Sequence, residues 1–221
     1  MGKGLFEVLI EYWPIFLKGL WGTLKYAFIA VTLGSILGAL VAIVHLSKKK
    51  AVSSLAAVYV NVLRGTPLLV QMYISYYFIP MAIPALNNID KIYYVMLALT
   101  LNSSAYVAEI IRSGIGSVDR GQAEAARSLG LSGGQTMTRI ILPQAVKNIL
   151  PALGNEYIAM IKETSLAGTF MLYELMYTRT ILANKYLVWQ PQLIIAGIYL
   201  AVTLLLSAGV KKMEKRLSVS D

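Results

Sequence analysis

Long apolar runs alternate with short polar clusters along this chain, and the runs have the length of bilayer crossings. A transmembrane helix needs about 20 mostly apolar residues. Five segments meet that requirement: residues 20–46, 52–83, 92–111, 149–170 and 191–210. The first is rich in Gly and Ala and ends at Lys48-Lys49-Lys50. The second is too long for one plain helix. Arg64-Gly65-Thr66-Pro67 divides it, because proline lacks an amide donor and clashes with the preceding turn. Residues 5–18 mix Leu, Phe, Tyr and Trp with Glu7, Glu11 and Lys18, which predicts an amphipathic helix lying in the membrane interface rather than a sixth span. The expected fold is an all-α membrane protein with five transmembrane helices. An N-terminal interfacial helix occupies 1–18 and the transmembrane domain 19–213.

Charge orients the spans. If the segments after the first, third and fifth runs are cytoplasmic, they hold Lys48, Lys49, Lys50, Arg112, Arg120, Arg127, Arg139, Lys147, Lys211, Lys212, Lys215 and Arg216. The other side holds Lys3, Lys18, Lys91, Arg179 and Lys185. The excess predicts an outside N-terminus and an inside C-terminus. Tyr173, Tyr177, Tyr186 and Trp189 then fall at the outer interface, where one end of the ring is wet. The only sizeable inside loop is 112–147. Within it, residues 121–129 predict a short helix stopped by Gly130.

Composition narrows the function. With 57% hydrophobic and 14% charged residues and a mean hydropathy of +0.63, the chain is unlike a soluble domain. The net charge of +9 lies between apolar spans rather than on one face, so it reports orientation and not a nucleic-acid partner. Zero cysteines exclude disulfides, thiol chemistry and Fe–S clusters. His45 is the only histidine, which rules out a His-rich metal site or a Ser-His-Asp triad within one chain. No catalytic group, metal or cofactor is expected. At the N-terminus Glu7, Glu11 and Pro14 interrupt the apolar residues, so no cleavable signal is expected either.

The loop residues carry a resemblance. Glu124-Ala125-Ala126, Gly130, Ile140, Leu142 and Pro143 stand at spacings that resemble the cytoplasmic EAA loop of ABC-importer permeases. Four further segments follow in order: 64–71 (RGTPLLVQ), 104–112 (SAYVAEIIR), 141–145 (ILPQA) and 162–166 (KETSL). Together they resemble the histidine/arginine/glutamine permease group of type I ABC importers. The resemblance implies a multi-pass protein of the cytoplasmic membrane and a polar amino acid as substrate. It also implies two copies of an ATP-binding cassette ATPase, a second permease chain (identical or a close paralogue) and an extracytoplasmic amino-acid-binding protein. Membrane lipid is the remaining partner. ATP hydrolysis would lie on the ATPase and not here. Gly121, Glu124, Ala125, Ala126 and Gly130 would form the peg that engages it: small alanines allow close approach, and Glu124 supplies a charge that pairs across the interface. Leu131-Ser132-Gly133-Gly134-Gln135 spells the signature of the ATPase subunits themselves. Without a G-x-x-x-x-G-K-[ST] loop it predicts no nucleotide site.

Ionisable groups inside a bilayer cost roughly 2.5–3.5 kcal/mol each, so each needs a reason. Within the spans they are Lys25, Arg64, Glu109, Glu156, Lys162 and Glu163. Arg64, Asn102-Ser103-Ser104 and Glu163 come to similar depth on three spans, the level at which transporters bind cargo. A zwitterion site follows. Arg64 would take the α-carboxylate, since its fork matches a carboxylate bidentately. Glu163 would face a cationic group, either the α-amino group or a basic side chain. Asn61, Thr66 and Gln71 at the helix break, with Asn102, Ser104 and Leu166, complete the set. A structural Arg64–Glu163 ion pair is the competing account. Glu109 and Glu156 either line an exit path or pair structurally with Arg112 or Lys147. Gly34 and Gly38 form a small-xxx-small pair suited to close helix packing. An ion channel would lack the peg-like loop, and a membrane hydrolase would need a nucleophile–base pair that is absent from these spans.

Overall fold

Helices carry almost the whole chain, as its apolar runs require: within a bilayer a helix satisfies all of its own amides. The computed structural model describes residues 4–47, 49–186 and 189–218, except the side chains of residues 184–186 and 218. Lys3 and Lys48, and the side chains of Lys185 and Tyr186, which entered the reading of charge and interface, lie outside the described residues.

Helix α1 runs from Leu5 to His45 and absorbs the expected interfacial helix. A kink falls inside that expected helix rather than at its end. Tyr12 has non-helical angles (φ −112°, ψ 15°) two residues before Pro14, whose ring crowds the turn before it. The N-terminal part is also more than a lipid-facing float: Val8, Tyr12 and Phe16 are buried against Leu175, Leu182, Ile194 and Ile195. Its other face exposes Phe6, Ile10 and Trp13.

Helix α2 (Lys50–Gly65) ends where the sequence places the break, and α3 (Leu68–Tyr73) restarts after Pro67. A π-helical turn over Ile74–Phe78 passes into α4 (Ile79–Ala82). The two limbs meet at 103°, so this segment is a broken span or a re-entrant loop. Helix α5 (Ile92–Gly116) is central. It packs along α1 and against α2, α3 and α8. The loop that follows holds α6 (Arg120–Ser128) and the short α7 (Gly133–Thr136). A second π-helical turn, Met137–Ile141, leads into α8 (Leu142–Glu163). From Thr164 to Phe170 the chain tightens to a 3₁₀ helix and closes at Met171 with φ 61°. The fourth apolar run is therefore α-helical only as far as Glu163. Helices α9 (Leu175–Tyr186) and α10 (Gln190–Ser218) complete the bundle.

Among the described residues, α1, α5 and α10 are long and apolar enough to cross a bilayer, and the bent α2–α4 pair is a fourth candidate. Helix α8 falls outside that group because it carries Lys147, Asn148, Asn155, Glu156, Lys162 and Glu163. It packs against α5, α10 and α1; of these polar residues Glu156 is buried in the bundle, while Asn148, Asn155, Lys162 and Glu163 stay exposed. The main core gathers Ala27, Ala30, Leu68, Met72, Leu99, Met160, Ile161 and Phe170, and so joins α1, α3, α5 and α8.

Glu174 stands at the junction of α1, α9 and α10 and is fully buried. Its carboxylate accepts from the backbone N–H of Met176 (2.7 Å) and Tyr177 (2.6 Å) and from the Tyr199 hydroxyl (3.2 Å). Thr23 Oγ1 accepts from the N–H of Leu175 at 3.0 Å. Two side chains thereby occupy the free amides at the start of α9. Burial pushes the Glu174 carboxyl up to about 7, against the hydrogen bonds that hold it down.

Candidate functional site

The helix break creates the site. Where α2 stops, its last carbonyls lose their partners, and Gln71 from α3 supplies them. Its Nε2 donates to Leu63 O (2.7 Å), Thr66 O (3.1 Å) and Thr66 Oγ1 (2.9 Å). Its Oε1 accepts from Asn102 Nδ2 of α5 at 3.1 Å. The bend is thus pinned to α5 by a closed amide network.

Beside it opens a cavity of about 440 Å³. Arg64, Gly65, Thr66, Pro67 and Leu68 form the wall from the break. Asn102 and Tyr106 come from α5, and Glu156, Ala159, Met160 and Glu163 from α8. One cation, two acids, an aromatic ring and an amide therefore face one space. Glu156 is held by Ser103 Oγ, which donates to its Oε1 at 2.9 Å.

The structure brings Arg64, Thr66, Asn102 and Glu163 together, as the sequence led one to expect. Other members of the expected set lie elsewhere. Gln71 is spent on the bend. Ser104 is buried away from the cavity, where its hydroxyl pairs with Tyr59 (2.6 Å) and donates to Leu101 O (2.7 Å). Asn61 is exposed outside the cavity lining. Leu166 packs against the main core. Glu156 and Tyr106 were missed as members. Their signal was present in the helical spacing, since Asn102 with Tyr106 and Glu156 with Glu163 repeat at near-integral turns.

Arg64 takes a partner other than the one expected. Among the described residues no ion pair joins it to Glu163. Its guanidinium is 3.9 Å from Glu109 Oε1 and 5.1 Å from the centroid of the Tyr106 ring. Glu109 is itself gripped by Arg112, with Nε to Oε2 at 2.8 Å and NH2 to Oε1 at 2.6 Å. Lys162 points away from the cavity and is exposed.

The loop holds the second group of candidate residues. Asp119 caps α6 by accepting from Gly121 N–H at 2.7 Å. At the other end Gly130 has φ +85°, a conformation that costs only glycine nothing. Gly130 N–H donates to Arg127 O (3.0 Å) and Leu131 N–H to Ala126 O (3.1 Å), the paired bonds of a Schellman stop. Glu124 and Ala125 are exposed, and Ala126 is buried beneath them. Leu129, which sequence reasoning did not single out, is an apolar knob 81% exposed at the end of the helix. In the LSGGQ stretch, Ser132 and Gln135 form a reciprocal capping box that starts α7. Those two residues therefore have local structural duties.

Comparison with known proteins identifies the family of the whole chain. Residues 30–219 match the family described as "Binding-protein-dependent transport system inner membrane component". The chain is 39% identical to the putative glutamine transport system permease protein GlnP of Rickettsia bellii (strain RML369-C), over 98% of this chain and 100% of that one. It is 37% identical to the arginine transport system permease protein ArtQ of Bacillus subtilis (strain 168), over 98% of each. Among solved structures it resembles a chain from the crystal structure of an amino acid ABC transporter with histidines. That match has a TM-score of 0.91 and 42% identity, and covers 98% of this chain and 100% of the other.

Proposed function

The chain belongs to the family of binding-protein-dependent transport system inner membrane components, and from that premise we propose that it is the path by which a polar, and specifically a basic, amino acid crosses the membrane. It is a multi-pass permease subunit of an amino acid ABC importer, and hydrolysis of ATP belongs to a separate subunit. In the finer reading, two such permease chains (identical or paralogous) sit on two ATPase subunits and receive cargo from an extracytoplasmic binding protein. Helix α8 with its 3₁₀ extension is the fourth of five spans, sheltered by α1, α5 and α10. The N-terminus is outside and the C-terminus inside.

One observation carries the cargo assignment: Arg64, Glu156 and Glu163 line one cavity of about 440 Å³, and a zwitterion calls for both signs of charge around one space. Arg64 takes the α-carboxylate. Glu163, with Glu156 behind it, takes the cationic group. Thr66 and Asn102 offer hydrogen bonds, and Tyr106 offers a ring face. Helix α6 receives the stroke of the ATPase through Glu124, Ala125 and Leu129, and alternating access follows if that contact favours one of two states of the bundle.

In the reconstituted importer, Glu163→Gln and Arg64→Ala should each abolish substrate-stimulated uptake and leave capture of the ATPase intact. Glu124→Arg should abolish the capture. Unchanged uptake by either cavity variant refutes its role in binding cargo.

A further inference from the structure

The cavity beside the bend does not end at Arg64. Arg64 and Tyr106 also wall a second cavity of about 440 Å³, lined further by Glu109, Ser113, Ser117 and Asn148. Ser117 and Asn148 in turn wall a third, about 360 Å³, which reaches Asp119, the cap of α6. The three spaces follow one another down α5. From Asn102 to Ser117 the helix covers about 22 Å at 1.5 Å per residue.

The two partitions are polar and of different strength. At the lower one Asn148 Nδ2 donates to Ser117 Oγ at 2.9 Å. At the upper one the charges are held unequally. Glu109 is fixed by the two short bonds from Arg112 on its own helix, at 2.6 and 2.8 Å. Arg64 reaches the same carboxylate at 3.9 Å, beyond hydrogen-bond length, so that among the described residues Coulomb attraction and the ring of Tyr106 hold it. Its side chain is 38% exposed, and it stands one residue before Gly65, at the end of a helix whose continuation turns away by 103°. Arg64 is the movable partner and Glu109 the fixed one.

We propose that the second cavity is a transit station for the same zwitterionic cargo, and that Arg64 gates it by exchanging the cargo carboxylate for that of Glu109. The proposal rests on the amino-acid-import reading. With cargo above, the guanidinium leaves Glu109 for the α-carboxylate and the partition opens. As it returns to Glu109, the cargo loses its counter-ion to a protein carboxylate and is freed into the lower space. Glu109 is thus a positioning residue for the gate: although it lines the station, its part is to reclaim Arg64 from the cargo. Ser113 lines the station on the side away from the central cavity.

The test uses the complete importer, with ATPase and binding protein, in proteoliposomes and in detergent, and radiolabelled L-arginine, L-histidine and L-glutamine as probes. Wild type taking up none of them overturns the amino-acid reading and the station with it, independently of any variant. With the probe that is carried, Glu109→Gln should lower uptake turnover at least ten-fold while equilibrium binding to the resting assembly stays within two-fold of wild type or tightens. Glu109→Asp should restore at least half of the turnover. Uptake within two-fold of wild type, or a parallel fall in binding and uptake by an intact assembly, overturns the gate. A second variant decides the matter if Glu109→Gln fails to assemble. The chain has no cysteine, so Ser113→Cys gives a single thiol in the second cavity. Its modification by a small methanethiosulfonate, read on the isolated permease chain, should slow at least three-fold when the cargo is present. No protection overturns the station.

Discussion

Gly38 of α1 faces the carbonyl of Ser104 on α5 so closely that a Cβ built on it would lie 2.6 Å from that oxygen and 2.8 Å from Val107 Cβ. One turn earlier, Gly34 meets Ser103 in the same way, with its Cβ 2.8 Å from that of Ser103. The contact that brings α1 against α5 therefore depends on the absence of two methyl groups. Gly38→Ala should destabilise the bundle by about 1–3 kcal/mol, the usual cost of overpacking. Gly197→Ala, whose Cβ meets nothing within 4 Å, should be neutral. Thermal melting of the purified chain decides it, and an unshifted Gly38→Ala melt would mean that the helices part freely.

Loss of the Ser103 hydroxyl removes the donor that serves Glu156 between α5 and α8. Ser103→Ala leaves the carboxylate short of a partner in a buried place, at a cost of about 1–3 kcal/mol. The melt should fall accordingly, and retention of the wild-type melting temperature would show that Glu156 finds another donor.

Gly130→Ala imposes a side chain on a left-handed residue, a strain of about 1–2 kcal/mol, and loosens the stop that fixes the length of α6. Capture of the ATPase should weaken several-fold. Gly133→Ala has open space and a residue already helical, so it should bind as wild type does. Equal behaviour of the two variants would separate the rigidity of α6 from its function.

The Glu174 carboxyl, raised from 4.5 to about 7 by burial, gives a pH dependence of defined sign. A raised folded-state value means that the fold favours the neutral acid. Its contribution to stability is full below about 4.5 and is lost as pH rises through about 7. The span is worth about 3 kcal/mol at most. The melting temperature of wild type relative to Glu174→Gln should therefore decline between those limits and level off above them. A flat difference would mean that the hydrogen bonds of α9 offset burial.

Much of this was legible in sequence because it is local. The break at Gly65-Thr66-Pro67 and the stop at Gly130 each follow from a few adjacent residues, and both stand within a residue or so of their expected places, whereas the helices overrun or shift from the apolar runs that announce them. What escaped depends on distant contacts. Thr23 serves the amide of Leu175, 152 residues away, and nothing near either residue announces it. Arg64 takes Glu109 rather than Glu163, the acid that depth along the spans suggested; its guanidinium lies over Tyr106, one turn from Glu109 on α5. The boundary expected at residue 18 is not marked by a break: α1 is continuous from Leu5 to His45, and its kink is at Tyr12. Burial of Val8, Tyr12 and Phe16 carries α1 through the kink, a contact with α9 and α10 that the mixed pattern of residues 5–18 does not announce. The two π-helical turns, each a one-residue adjustment of register, have no compositional mark.

Helix α1 holds 41 residues, about 61 Å at 1.5 Å per residue, whereas the hydrocarbon slab measures about 30 Å. Half of this shaft must therefore project beyond the acyl chains or run oblique through them. Any tilt at one end is levered to the other, and the bend at Tyr12 determines how far outside the membrane that movement is delivered.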